Sequence, residues 1–138
     1  MIFIVDTNIV FSGFVRDSVT RELLIDSPFI LYTPDTMIKE IIKYENLILK
    51  KSSLSKDEFE ILFNFLTENM NVVEKEMYAD KMEEADKLIG HVHKGDVPFL
   101  ALALSIPNSG IWTEDKDFEK QDKIKVWKTK DIIQFLRS

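Results

Sequence analysis

MIFIVDTNIV, residues 1–10, has the pattern of a short strand that is apolar on both sides and ends in a carboxylate. Consecutive apolar residues such as Ile2 to Val5 are typical of strands in a parallel sheet, because helices cover both faces of such a sheet. Asp6 follows this strand directly, and taking a carboxylate out of water is costly unless it is paired or bound. The segment therefore predicts a buried strand and a chemical role for Asp6.

Four further strand signals follow along the chain, and helical patterns separate them. The strand signals are short and rich in branched or aromatic side chains, and they fall at residues 29–32, 71–74, 110–113 and 125–127. The helical patterns run over residues 35–50, 55–70, 80–90, 96–106 and 129–136. This alternation predicts a three-layer α/β/α sandwich with a central, mainly parallel sheet.

Composition places the chain among ordinary globular proteins. Its 138 residues are 45% hydrophobic and 30% charged, which predicts one domain over residues 1–138. No apolar run approaches the roughly 18 residues that span a bilayer, and the first residues do not resemble an export signal, so we expect a cytoplasmic protein. A net charge of −6 disfavours nucleic-acid binding over the whole surface, but it leaves room for a local basic strip.

Acidic residues stand at the ends of several predicted elements. Asp6 ends the first strand, Asp115 follows the strand at 110–113, and Asp96 opens a helix. An open α/β sheet has its ligand site at the carboxyl ends of its strands, where these acids can converge. Glu40 falls just outside the apolar arc of its helix, so its side chain can face a cleft. Glu45 falls inside that arc, which fits only if the helix bends or ends near Tyr44.

Converging carboxylates repel one another, so such a cluster needs cations or bound protons. Hard divalent ions such as Mg²⁺ and Mn²⁺ prefer carboxylate oxygens, and they promote phosphoryl transfer by activating water and stabilising charged oxygens. The four acids therefore predict a site for Mg²⁺ or Mn²⁺.

Four motifs, in order along nearly the whole chain, resemble the PIN-domain family of nucleases. They are DTN at residues 6–8, the Glu40 of PDTMIKEII, Asp96 in GDVPFLALAL, and TED at residues 113–115. The resemblance implies a metal-dependent endoribonuclease acting on RNA. It also implies a possible role as a VapC-type toxin that a cognate antitoxin holds inactive.

The same resemblance implies a role for each motif residue. The metal ligands and catalytic residues are Asp6, Glu40, Asp96 and Asp115, and Asp117 is a supplementary acid. Asn8 and Thr113 orient the ligands through hydrogen bonds. A PIN-like module that binds RNA or a protein without catalysis stays open as the alternative.

Several residues also have ordinary explanations. Asp35 and Asp96 are good helix caps, Glu40 alone is a typical solvated charge, and acids after a strand favour turns. For His91 and His93 we favour an exposed loop beside Asp96, or contact with phosphate, over metal binding.

Two surface features suggest partners. Lys39, Lys43 and Lys50 fall on one side of the Glu40 helix, where they form either an RNA-contacting strip or a solvated face. Ile61 and Phe65 lie opposite the apolar stripe of their helix, which indicates a homodimer, an antitoxin groove or burial under a neighbouring helix. The rival enzyme classes lack support, because the chain has neither a Gly-Lys-Ser/Thr phosphate loop nor a second acid beside Asp6.

Overall fold

A computed structural model describes residues 1–15 and 19–138, and its centre is a five-stranded sheet. The strands are β1 (Ile2–Val5), β2 (Ile30–Pro34), β3 (Met70–Val73), β4 (Gly110–Trp112) and β5 (Val126–Trp127). All neighbouring strands pair in parallel, in the order β3-β2-β1-β4-β5. The predicted strands therefore lie close to the observed ones, and the sheet is wholly parallel rather than mainly so.

The strand β1 occupies the middle of the sheet. Ile4 lies opposite Tyr32 of β2 on one side and Ile111 of β4 on the other. Phe3, Ile4 and Val5 are fully buried, as the unbroken apolar run predicts for a strand covered on both faces.

The helices lie between the strands in chain order, except the last, which follows β5. They are α1 (Thr7–Val15), α2 (Val19–Ile25), α3 (Thr36–Lys43), α4 (Glu45–Ser52), α5 (Lys56–Thr67), α6 (Lys75–Tyr78), α7 (Met82–Ala85), α8 (Val97–Ser105) and α9 (Thr129–Arg137). Connections between parallel strands are right-handed, so α1 to α5 cover one face and α6 to α8 the other. The contacts among α1 to α5, and those of α8 with β1, β2 and β4, agree with this arrangement. The predicted three-layer α/β/α fold is confirmed.

The segment predicted as helical over residues 35–50 forms two helices, because it breaks at Tyr44, where the position of Glu45 required a bend or an end. The backbone of Tyr44 leaves helical geometry (φ −99°, ψ 14°), so α3 ends at Lys43 and α4 begins at Glu45. In one straight helix Glu45 would lie within the apolar arc. The break removes this conflict, because Glu45 begins a new helix. At about 100° per residue, Ile42 lies at the edge of the apolar face of α3 that carries the buried Met37 and Ile41, and it is 60% exposed.

The prediction of one continuous α-helix over residues 80–90 is wrong. The segment consists of a 3₁₀ turn (Ala79–Lys81), the single turn of α7 and a π-helical turn (Asp86–Gly90). Two further 3₁₀ segments, Lys94–Asp96 and Lys116–Lys120, follow it. The pattern of apolar residues alone does not distinguish these helix types.

The helix α5 has the predicted start, and its Phe59 and Leu66 are buried, but it ends at Thr67 rather than at residue 70 because Met70 begins β3. Ser55 and Glu58 form a capping box, and Phe59 stacks on Phe14 of α1 with ring centres 4.8 Å apart. Ile61 and Phe65, on the other flank, are 58% and 51% exposed, so no helix among residues 1–15 and 19–138 covers them. Over residues 1–15 and 19–138, no helix is both long enough and apolar enough to cross a membrane.

Candidate metal centre

The strand order reverses between β1 and β4, which lie side by side in the sheet. Such a reversal opens a crevice at the carboxyl ends of the two strands. Asp6 follows β1, and its backbone N–H donates to the carbonyl of Trp112, the last residue of β4 (3.0 Å). Thr113 follows immediately, so the DTN and TED motifs meet at this edge.

Three carboxylates converge in the crevice. One oxygen from each of Asp6, Asp96 and Asp115 lies within 4.8 Å of the other two. Asp6 is 5% exposed and Asp96 is 6% exposed, while Asp115 is half-buried. We call these residues the acidic trio.

Hydrogen bonds fix the orientation of Asp6. Its Oδ1 accepts from the backbone N–H of Thr7 (2.8 Å), and its Oδ2 accepts from the Thr113 hydroxyl (2.6 Å) and the Asn8 amide (3.0 Å). The amide of Asn8 also contacts the Thr113 hydroxyl (3.2 Å), which in turn accepts from the N–H of Asp115 (2.9 Å). Asn8 and Thr113 therefore contact Asp6 where the resemblance placed them, and their functional role stays a prediction.

The environment of the trio favours bound protons or cations. Burial raises the pKa of Asp6 to about 7, with repulsion from Asp96 and Glu40 adding to it and hydrogen bonds from Thr113 and Thr7 opposing it. Burial also raises the pKa of Asp96 to about 6, together with repulsion from Asp115. A cation between these carboxylates would remove both penalties.

Asp96 is held differently from Asp6. It precedes α8 but its carboxylate makes no capping hydrogen bond, so the expectation that it caps this helix is wrong. Its Oδ1 lies 3.3 Å from Nδ1 of His93, across the 3₁₀ turn. Its Oδ2 is buried and has no hydrogen-bond partner in the part of the chain that the structure describes. Buried polar atoms without a partner are uncommon, and this oxygen is suited to bind a cation or a water molecule.

Glu40 faces the same cavity from α3. Its Oε1 accepts from the Thr7 hydroxyl (3.2 Å), and burial raises its pKa. Its carboxylate is not among the three whose oxygens lie within 4.8 Å of one another. Of the four predicted ligands, three therefore form a compact cluster, and Glu40 lies beside it.

The cavity has a volume of about 250 Å³ and opens to solvent. Its lining residues are Asp6, Thr7, Asn8, Phe11, Glu40, Tyr44, Leu47, His93, Asp96 and Asp115. The sequence assigned no site role to Tyr44, and for His93 it suggested an exposed loop beside Asp96 or contact with phosphate, not contact with the Asp96 carboxylate. The spacing of His93, three residues before Asp96, was the available signal, because a 3₁₀ turn brings such residues together.

Other predicted residues do not line the cavity. Asp117 donates its backbone N–H to Asp115 Oδ1 (2.9 Å), but its side chain does not line the cavity. Lys50 and His91 do not line it either. Asp35 does not cap α3, since its carboxylate instead accepts from the Tyr78 hydroxyl (2.5 Å) and the N–H of Lys75 (3.3 Å). Burial, together with this pairing, raises the pKa of Tyr78.

The residues present fit a hard divalent cation. They offer carboxylate oxygens from three chain segments, an unpartnered oxygen on Asp96, and an opening to solvent. The described residues contain no cysteine and no group of histidines that could bind a softer metal ion.

Comparison with known proteins agrees with this arrangement. The family model for the PIN domain matches residues 4–137, which include the whole sheet except the first two residues of β1. A search of the curated proteins finds no match to the chain.

Proposed function

Because the chain belongs to the PIN-domain family, whose members are generally nucleases, we propose that it is a metal-dependent endoribonuclease. Its reaction is the hydrolysis of phosphodiester bonds in RNA. The observation that supports the proposal most strongly is the acidic trio, in which two buried carboxylates have raised pKa values and Asp96 Oδ2 has no partner among the described residues.

The proposed cofactor is Mg²⁺ or Mn²⁺, held by Asp6, Asp96 and Asp115 with Glu40 beside them. Asp117 stays a supplementary candidate. The cation would supply an activated water and positive charge next to the phosphoryl oxygens.

The protein's own residues would keep the ligands in place. Thr113 and Asn8 fix Oδ2 of Asp6, and the hydroxyl of Thr7 fixes Oε1 of Glu40. These donors orient the carboxylates before a cation arrives, which lowers the cost of ordering them on binding.

Further parts of the proposal concern partners and location. We propose that residues 1–138 form one nuclease domain, which acts in the cytoplasm. The domain would form a homodimer, and it would act as a toxin that an antitoxin restrains. The exposed Ile61 and Phe65, beside a concavity of about 500 Å³ on α5, support an interface on this face. Light scattering tests the homodimer, and a monomer at every concentration would refute it. Growth arrest on expression of the wild type, but not of Asp6→Asn, tests the toxin.

Cleavage of a mixed RNA pool by the purified protein in Mn²⁺ tests the central proposal. We expect cleavage that EDTA abolishes and that Asp6→Asn and Asp115→Asn each reduce by more than roughly 100-fold. Asp122→Asn is the matched control, because Asp122 is an exposed acid outside the cavity. Equal cleavage by all four proteins would identify a contaminating nuclease. A lack of cleavage in every sample would refute the proposal and favour the inactive RNA- or protein-binding module.

A further inference from the structure

The segment that follows β4 carries two residues of the candidate metal centre. Thr113 donates to Asp6, and Asp115 belongs to the acidic trio. Glu114 lies between them, is exposed, and does not line the cavity. We call residues 113–115 the β4 exit. The geometry of the trio depends on how this short segment is held in place.

The carboxylate of Glu114 joins the β4 exit to the start of the last helix. Backbone pairing with β5 reaches Thr113, whose N–H donates to the carbonyl of Trp127 (3.0 Å). One residue further, Oε2 of Glu114 accepts from the backbone N–H of Thr129, the first residue of α9 (2.8 Å). The first N–H groups of a helix have no partner within it and form its positive end, so a carboxylate is a favourable acceptor there.

The backbone of Glu114 joins the β4 exit to the residue that orients Asp6. Its N–H donates to Oδ1 of Asn8 (3.3 Å), and Nδ2 of Asn8 donates to Oδ2 of Asp6 (3.0 Å). An amide side chain has one acceptor end and one donor end, so the bond from Glu114 keeps the donor end directed at the carboxylate. Glu114 therefore connects α9 on one side with the trio on the other.

We infer that Glu114 is a positioning residue of the candidate metal centre, because its carboxylate anchors the β4 exit to α9 and so keeps Asn8 and Asp115 in place. The inference rests on the proposed metal centre and adds to it a residue from outside the cavity. Without the bond to Thr129 the β4 exit is displaced for a larger fraction of the time, and the affinity for a cation falls with the ordered fraction.

Three variants separate this role from other effects of the same side chain. Glu114→Ala removes the acceptor. Glu114→Gln removes the same negative charge but keeps an acceptor oxygen, so it controls for weaker electrostatic attraction of the cation. Asp131→Ala is the matched control for the helix, because Asp131 accepts from the N–H of Lys128 (2.9 Å) at the same helix start but is not part of the β4 exit.

Two measurements report the order of the β4 exit. Calorimetry gives the Mn²⁺ affinity of each protein. Hydrogen exchange followed by NMR in EDTA gives the protection of the N–H of Asp115, which donates to the Thr113 hydroxyl (2.9 Å), without any cation. Urea unfolding shows that each variant folds and how much stability it loses.

Glu114→Ala and Asp131→Ala should each lower the urea midpoint, because each removes one acceptor from the start of α9. Only Glu114→Ala should weaken Mn²⁺ binding, by roughly 3- to 10-fold, which is within the net effect of one hydrogen bond. It should also speed the exchange of the Asp115 N–H by a similar factor. Glu114→Gln should bind Mn²⁺ within about 2-fold of the wild type, since the acceptor is kept.

Thr129→Pro tests the same bond from the side of the donor. Proline is well accommodated at the first position of a helix and has no N–H. The variant therefore removes the donor to Glu114, together with the bond from Trp112 Nε1 to the Thr129 hydroxyl (2.9 Å). In this background Glu114→Ala should not weaken Mn²⁺ binding further, because the bond that it breaks is already absent. Additive losses would overturn the inference.

A Glu114→Ala protein that binds Mn²⁺ like the wild type would also overturn the inference. An equal loss in Asp131→Ala would do the same by assigning the effect to helix stability, and an equal loss in Glu114→Gln by assigning it to charge. The exchange readout does not depend on a cation. Glu114-dependent exchange in a wild type that binds no Mn²⁺ would therefore refute the metal centre alone, whereas Mn²⁺ binding that Glu114→Ala leaves intact would refute the role of Glu114 alone.

Discussion

Asp6→Asn should make the metal-free protein more stable at pH 8, although it removes a proposed ligand. Asp6 is 5% exposed, and its pKa is raised from 3.8 to about 7, chiefly by burial. At about 1.4 kcal/mol per pKa unit, ionising this group in the fold costs on the order of 4 kcal/mol. Asparagine has no charge, so this penalty disappears.

The hydrogen bonds around Asp6 reduce the gain. An asparagine amide that replaces Oδ1 would face the N–H of Thr7, and one that replaces Oδ2 would face the donors of Asn8 and Thr113. The Thr113 hydroxyl can rotate to accept instead, but one unfavourable contact costs about 1–3 kcal/mol. We therefore expect a net gain of about 1–3 kcal/mol in the free energy of unfolding.

The sign of the pH dependence follows from the raised pKa. The folded protein holds a proton on Asp6 between pH 3.8 and about 7, whereas the unfolded chain does not, so this group stabilises the fold at low pH. The stabilisation is lost as the pH rises from about 4 through 7. Asp96, with its pKa raised to about 6, adds to the same loss in the lower part of this range.

Urea unfolding in EDTA across pH 5 to 8 measures these effects, with Asp122→Asn as the exposed control. The advantage of Asp6→Asn over the wild type should grow with pH, and addition of Mn²⁺ should stabilise the wild type but not the variant. An Asp6→Asn protein that is less stable than the wild type at pH 8 would refute the reasoning, because it would give Asp6 a structural role.

Three further predictions concern neighbours of the trio. Thr113→Val removes the hydroxyl that lowers the pKa of Asp6, so calorimetry should show Mn²⁺ affinity reduced about 10- to 100-fold, and Thr113→Ser should keep it. His93→Ala removes the contact that lowers the pKa of Asp96, so Mn²⁺ binding should weaken most below pH 7, and a pH-independent loss would contradict this role. Tyr78→Phe removes the hydrogen bond to Asp35, so urea unfolding should show a loss of about 1 kcal/mol, while RNA cleavage stays unchanged.

The sheet was predictable because each strand has a local signature. The apolar run before Asp6 and the short branched segments after it set five parallel strands, and the reversal between β1 and β4 brings Asp6 near Asp115. Motif order along the chain then identified the acids. For the strands and the acids that follow them, position along the sequence determines position in space, because the sheet has a regular geometry.

The other features depend on tertiary contacts. The break at Tyr44 has no proline or glycine to mark it, and only the position of Glu45 indicated it. The turns around Asp86–Gly90 share the apolar pattern of an ordinary helix. Asp35 is a good cap by residue type, but the hydroxyl of Tyr78, 43 residues away, competes for its carboxylate. Propensity describes what a residue can do locally, and such distant partners decide the outcome.

The two buried acids of the trio differ in how much the fold prepares them. Asp6 is fixed by three donors on both of its oxygens, whereas Asp96 has His93 on one oxygen and no partner among the described residues on the other. The His93 side chain is itself 61% exposed, so its contact with Oδ1 restrains the Asp96 carboxylate less than the three donors restrain Asp6. The fold therefore orients Asp6 more completely than Asp96.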